Sequence, residues 1–232
     1  MTGHFTLGVI GHVDHGKTAL VRALTGIETD RLKEEQERGL SIVLGFSYLE
    51  SPDGAIDLID VPGHEDFIRT MISGATGIDG VLLIVAANEG VMPQTREHFD
   101  IAQLLGVERG LIVLTKTDLL TREEVEFAEE EIREYVSGSF LDGAPVIRTS
   151  VLRGEGLDDL RAALGQLEAR VPATETSEGF FLPVDRVFAM QGFGAVVTGT
   201  LRSGVLTTNE NVEILPGGET ATVRGLQNHN QA

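Results

Sequence analysis

The run Gly11-His12-Val13-Asp14-His15-Gly16-Lys17-Thr18 has the spacing G-x-x-x-x-G-K-[ST]. The chemistry open to such a run is phosphate binding. Its glycines let backbone N–H groups wrap an anion, and a helix that follows adds a favourable dipole. Val13, Asp14, His15 and Gly16, with Lys17, Thr18 and Ala19 at the helix start, are the expected nucleotide contacts. Lys17 should reach the β- and γ-phosphates, and the Thr18 hydroxyl should ligate Mg²⁺. A chance glycine-rich loop is the bland alternative. It would not need a strand-like Phe5–Ile10 before it and a helix-like Thr18–Leu24 after it, and both are present.

Three further stretches gain meaning from that loop. Asp60-Val61-Pro62-Gly63-His64 follows an apolar strand, where an Asp is placed to hold Mg²⁺, commonly through water. Gly63 offers an unhindered N–H for the γ-phosphate, and His64 lies where a water-orienting group is wanted. Alone, the Pro-Gly-His turn would read as structural. Thr115-Lys116-Thr117-Asp118 closes another strand. The Asp118 carboxylate can accept both N1–H and N2–H of guanine, a pairing adenine cannot offer, and Lys116 can lay its stem over the base. Ser150, Val151 and Leu152 could contribute backbone N–H groups to the guanine O6. Arg38-Gly39-Leu40-Ser41-Ile42 follows a charged stretch, Asp30 to Glu37; Ser41 could supply a second hydroxyl to Mg²⁺, or the segment is an ordinary loop entering a strand.

The elements that must position these residues follow from periodicity. Ile42–Leu49 and Ala55–Ile59 flank the turn sequence Ser51-Pro52-Asp53-Gly54 and predict an antiparallel hairpin. Beyond it come a helix near Glu65–Ser73, a strand Gly80–Ala87, a helix opened by Pro93, and a strand Gly110–Leu114. Thr121-Arg122-Glu123-Glu124 is a capping box opening a helix to about Val136. A strand Pro145–Thr149 and a helix Leu157–Ala169 complete the alternation, which predicts a mostly parallel sheet covered on both faces. The acidic run of the Thr121 helix reads as a solvated face.

Val171 to Gly179 lacks periodicity. Past it, Phe180–Val187, Ala195–Thr200, Val212–Leu215 and Ala221–Leu226 look like short strands between Gly, Asn and Pro turns. These divisions give an α/β domain over 1–172, a linker over 173–179, and the start of an all-β barrel over 180–232. So few strands would not close a barrel, so the chain is expected to be the front part of something longer.

Composition narrows the class. The chain has 232 residues, 41% of them hydrophobic and 23% charged, as a globular protein of more than one unit would. A net charge of −18 argues against a generally basic nucleic-acid surface, so any RNA contact must be local. Of the three lysines, Lys17, Lys33 and Lys116, two fall inside the motifs. The absence of cysteine excludes disulfides and thiolate metal sites. The sequence shows neither a signal peptide nor a membrane helix, and a cytoplasmic protein without membrane partners is expected. His4, His98 and His229 are scattered and carry no metal role.

Together these residues resemble the translational GTPases related to elongation factor Tu. The matching elements are residues 11–18, the Arg38–Ile42 element, Asp60–His64, the loop 115–118 and, past the linker, the run GFGAVVTGTLRSG (192–204). Within that family the closest likeness is to the selenocysteine-specific branch. It is carried by Asp30–Glu35 running into RGLSIVLGFSYL, the short run before Asp60, TKTD at 115–118, and Val223–Gln227. The resemblance implies a Ras-like P-loop GTPase domain on a six-stranded sheet, with GTP/GDP and Mg²⁺ as cofactors and ribosome-stimulated hydrolysis. It implies that a GTP-bound form carries an aminoacyl-tRNA, here selenocysteinyl-tRNA, to the ribosome. A selenoprotein mRNA hairpin would be met only through a C-terminal region that this sequence does not include. It further implies that His64 positions the attacking water, that Val13 and Leu40 form an apolar gate, and that Thr18 and Ser41 hold Mg²⁺ directly.

Two positions depart from the family pattern. Thr115 stands where the family has Asn, removing an amide expected to support both the base and the phosphate loop. Ser41 replaces a threonine and keeps the hydroxyl without the methyl. The alternatives to the selenocysteine-specific reading are another aminoacyl-tRNA-carrying factor of the family, or a non-catalytic GTP-sensing scaffold.

Overall fold

Three strands supply the core of the six-stranded sheet because their sequences are apolar on both faces. FTLGVIG (β1, Phe5–Gly11), GVLLIVA (β4, Gly80–Ala86) and GLIVLT (β5, Gly110–Thr115) are buried at every position. Near-continuous runs of this kind belong in a parallel sheet covered by helices on both sides. A computed structural model of the chain describes residues 5–29, 44–51, 54–61, 78–170, 179–190, 194–199, 201 and 203–227. Within it the chain divides into two compact units, Met1–Pro172 and Ala173–Ala232.

The first unit contains a six-stranded sheet in the order β2-β3-β1-β4-β5-β6, where β2 is Gly45–Ser51, β3 Gly54–Asp60 and β6 Val146–Arg148. The β2–β3 hairpin is antiparallel, pairing Ser51 with Gly54, and every other neighbour is parallel. Helices α1 (Lys17–Thr25) and α4 (Leu157–Glu168) cover one face through Leu20, Val21, Leu24, Leu160 and Leu164. Helices α2 (Pro93–Leu104) and α3 (Arg122–Val136) cover the other through Phe99, Ala102, Val125, Ala128 and Ile132. Each of these Leu, Val, Ile and Phe side chains, fully buried, contributes about 1.5–3 kcal/mol, and the two alanines less. Pro93 opens α2, where its missing N–H costs nothing. Thr121 and Glu124 close a reciprocal capping box on α3, as the sequence predicts.

Parallel order brings the carboxyl ends of β1, β3 and β5 to one edge of the sheet, which is where an open α/β sheet binds ligands. The predicted helix near Glu65–Ser73 lies outside the described residues, as does Ile42 of the first hairpin strand. Among the described residues no helix is long and apolar enough to cross a membrane.

The second unit contains two antiparallel pairs. Val184–Met190 (β7) pairs with Gly194–Gly199 (β8), and Asn211–Ile214 (β9) pairs with Glu219–Thr222 (β10). The first of these strands starts later than the predicted Phe180–Val187, because Pro183 has no N–H to give to a ladder. Phe181 instead makes an isolated bridge to Ser203. The last strand runs earlier than the predicted Ala221–Leu226, since its pairing with Asn211 ends at Thr222.

Candidate functional site

The turn from β1 into α1 needs its glycines. Gly11 has φ 144°, and a Cβ there would run into the Ile84 carbonyl of β4. Gly16 caps α1 in the left-handed region at φ 83°. Asp14, exposed at the tip, also lies there at φ 63°. Lys17 is buried and its Nζ donates to the Gly11 carbonyl at 3.1 Å and the His12 carbonyl at 2.8 Å. The ammonium is thus held across the mouth of the loop by the loop's own backbone.

Helix α2 supports the loop from below. The Val13 N–H donates to Gln94 Oε1 at 3.0 Å, and the Gly11 N–H points at His98 Nδ1 at 3.4 Å. His98 is therefore not a scattered histidine, as the sequence suggested; it is buried beneath the phosphate loop. To accept it must be neutral, and burial pulls its pKa down to about 4. Burial likewise pulls His15 down to about 4, against a hydrogen bond to the Ile84 carbonyl that favours the charged form. Its Nδ1 lies 3.3 Å from that carbonyl, so the neutral ring carries its proton on Nδ1. The His12 and His15 rings meet edge to face at 5.2 Å. Sequence reasoning missed Gln94 and His98. The only available signal was their i, i+4 spacing on the helix that Pro93 opens.

Asp60 ends β3 fully buried. Its Oδ2 accepts from the Thr18 hydroxyl at 2.7 Å and from the Thr29 hydroxyl at 3.2 Å. Residues forty-two positions apart are thereby joined where β1 and β3 run in parallel register. Thr29 carries no signal in the sequence.

The loop after β5 sits beside the phosphate loop. Thr115 Oγ1 donates to the His15 carbonyl at 2.7 Å. The expected loss of support to the phosphate loop does not occur, because the hydroxyl makes the contact. Lys116 adopts a left-handed backbone, φ 56° and ψ 30°, and its Nζ donates to Glu89 Oε1 at 2.8 Å. Asp118 is half-buried, and the Ser150 hydroxyl holds its carboxyl below the usual carboxylate range. The Thr117 N–H and hydroxyl both donate to the Thr149 carbonyl, tying this loop to the end of β6.

One expectation needs correction. Ser150 is buried and its N–H donates to the Glu155 carbonyl at 3.0 Å, in a reciprocal bridge. That N–H is committed and cannot also reach a guanine O6. Ser150 instead meets Asp118 through its side chain. Val151 and Leu152 remain in the adjoining turn, Leu152 almost wholly exposed. Leu40, Ser41, Gly63 and His64 lie outside the described residues.

Residues 2–170 match the family model for the elongation factor Tu GTP binding domain. The chain belongs to that family. It therefore carries a GTP-binding domain. Among relatives, it is 52% identical to a selenocysteine-specific elongation factor of Desulfomicrobium baculatum over 227 residues, 97% of this chain and 36% of that protein. Identity to the selenocysteine-specific elongation factor of Escherichia coli (strain K12) is 42% over 226 residues, again 97% and 36%. The chain thus spans little more than a third of the length of these relatives. Among solved structures, a bacterial selenocysteine-specific elongation factor superposes with a TM-score of 0.94 at 37% identity, covering all of this chain and 40% of the other. The elongation factor SelB of Methanococcus maripaludis, in complex with the GTP analogue GppNHp, gives 0.85 at 32% identity, covering 99% and 48%.

Proposed function

We propose that the chain is the GTP-binding and GTP-hydrolysing part of a translation elongation factor that carries selenocysteinyl-tRNA to the ribosome. The observation that carries the switch reading is the Thr18–Asp60 contact at 2.7 Å, on the side of the phosphate loop away from the Thr115–Asp118 loop and at the same edge of the sheet. Two hard oxygen donors in contact there suit Mg²⁺, which would supply charge neutralisation on the β- and γ-phosphates. The selenocysteine reading rests on the relatives' names and on 52% identity along nearly the whole chain, and the tRNA as cargo on the resemblance to the family.

The chain's own groups then divide the work. Backbone N–H groups from Asp14 to Ala19 bind the phosphates while Gln94 holds the Val13 N–H, with Lys17 turning from its carbonyl partners onto the β- and γ-oxygens. Thr18 and Asp60, with Ser41, hold the metal. Asp118 reads the guanine edge, kept ionised and aimed by Ser150. Backbone N–H groups of Val151 and Leu152 are offered to the guanine O6, and Lys116 lies over the base. Gly63 meets the γ-phosphate and His64 orients the attacking water. Phosphoryl transfer needs positioning more than covalent chemistry, so slow intrinsic turnover is expected until the ribosome completes the site.

Phosphate release over many turnovers, with and without ribosomes, tests the catalytic part. His64→Ala should bind GTP normally and release phosphate far more slowly; unchanged turnover removes His64 from this role. Binding of selenocysteinyl-tRNA against seryl-tRNA to the GTP-bound protein tests the cargo, and equal affinity would return the assignment to the wider family.

A further inference from the structure

The turn between β4 and α2 holds a carboxylate that the proposed function leaves unused. Glu89 sits in a tight turn in which the N–H groups of Glu89 and Gly90 both donate to the Ala86 carbonyl, at 3.1 and 3.0 Å. The next anchor is the Ala87 N–H, which donates to the Thr115 carbonyl at 2.8 Å. Glu89 is thereby fixed against the loop that follows β5. Its Oε1 accepts from Lys116 Nζ at 2.8 Å, and its Oε2 lies 3.8 Å from His15 Nε2. One carboxylate therefore faces the guanine loop with one oxygen and the phosphate loop with the other.

We infer that Glu89 is a positioning residue for the guanine site, holding the Lys116 side chain in place over the base. This rests on the proposed placement of Lys116 at the base. The pair is about a third exposed on each side, a setting in which ion pairs add little to stability. Lys116 itself occupies a left-handed conformation that a non-glycine residue avoids. A strained backbone joined to a weak surface pair is poor design for stability. It is good design for presenting a side chain. A lysine stem is flexible, and a partner that orders it before the base arrives removes that ordering cost from binding. The Lys116 hydrogen bond holds the Glu89 carboxyl below the usual carboxylate range, so Glu89 is ionised at neutral pH. Glu89 touches neither base nor phosphate in this role; it acts through Lys116.

The test is the dissociation rate of fluorescent GDP, and of the inosine analogue that lacks the 2-amino group, followed by stopped flow with the chain as it stands. Variants are Glu89→Gln, Glu89→Asp, Lys116→Met and the Glu89→Gln/Lys116→Met double, each checked for an unchanged melting temperature. Glu89→Gln should speed release of both nucleotides by roughly three- to fivefold, the range of an exposed pair. The factor should be the same for both, because a cation over the ring does not read the 2-amino group. Glu89→Asp should recover part of the loss, and Glu89→Gln should add nothing in the Lys116→Met background. An unchanged rate in Glu89→Gln, or the same acceleration with Lys116 already removed, overturns the inference. A smaller factor for the inosine analogue also overturns it, since Glu89 would then act through Asp118. A wild-type chain that retains neither nucleotide, or Lys116→Met releasing them at the wild-type rate, would instead bring down the underlying placement of Lys116.

Discussion

The Thr115 hydroxyl donates to the His15 carbonyl across 2.7 Å, joining the end of β5 to the phosphate loop 100 residues earlier. Both groups are buried. Thr115→Val keeps the shape and deletes the donor, leaving the His15 carbonyl without that partner. The penalty for such a buried acceptor is about 1–3 kcal/mol. Urea unfolding should show a fall of that size, and GDP should dissociate faster. Thr115→Ser should be close to wild type. A Val variant as stable as wild type would mean the hydroxyl supports nothing.

Thr18 and Thr29 share one oxygen of Asp60, and only Thr18 stands at the loop. Thr18→Ala should therefore leave Asp60 anchored by Thr29 and the fold intact. What it should lose is the response to Mg²⁺: GDP release, slowed by Mg²⁺ in the wild type, should become nearly indifferent to it. A loss on the order of tenfold in Mg²⁺-dependent retention, about 1.4 kcal/mol, is expected. Release measured in Mg²⁺ and in EDTA decides it, and a full Mg²⁺ response in Thr18→Ala would take the metal away from this hydroxyl.

Those two contacts mark what the sequence could and could not reveal. The phosphate loop was legible because its signal is local: a buried strand, two glycines, a lysine and a helix within a dozen or so residues. The sheet was legible from the alternation of apolar runs with helical periods. Gln94 and His98 were not, because their contacts with Val13 and Gly11 cross 81 and 87 residues and exist only once α2 packs under β1. On the sequence alone they are two polar residues of an amphipathic helix. Ser150 was misjudged for a related reason. Whether its N–H is available depends on the return of the chain at Glu155, which spacing does not reveal.

His15 and His98 set a pH window for stability. Both have pKa values drawn by burial to about 4, against 6.5 in the unfolded chain. Between those values the unfolded state binds more protons than the native one, so native stability falls as pH drops from 6.5 towards 4. Each ring accounts for at most roughly 3 kcal/mol over that span. Glu89, Glu124 and Glu129 have lowered values and add a loss of the same sign, but only near and below the carboxylate range. The histidine part is therefore isolated between pH 5 and 6.5. Urea midpoints should fall across that window in the wild type and fall less steeply in His98→Gln. Equal slopes would show that His98 protonates as easily in the fold as outside it.

Gly11 and Gly16 carry positive φ for different reasons, and the difference is measurable. At Gly16 a Cβ would meet nothing within 4 Å, so Gly16→Ala incurs backbone strain alone, about 1 kcal/mol. At Gly11 a Cβ would strike the Ile84 carbonyl. That carbonyl cannot retreat, since β4 is paired with β1 on one side and β5 on the other. Gly11→Ala adds a backbone collision to the strain, and a loss above about 4 kcal/mol is expected, at the far end of single substitutions. Displacement of β1 would also move the Gly11 carbonyl from Lys17 and the Gly11 N–H from His98. Without nucleotide, Gly16→Ala should unfold near the wild-type urea midpoint, while Gly11→Ala should unfold far below it or not fold. Two similar midpoints would mean that the sheet yields at Ile84 and that the first glycine is needed only for its φ.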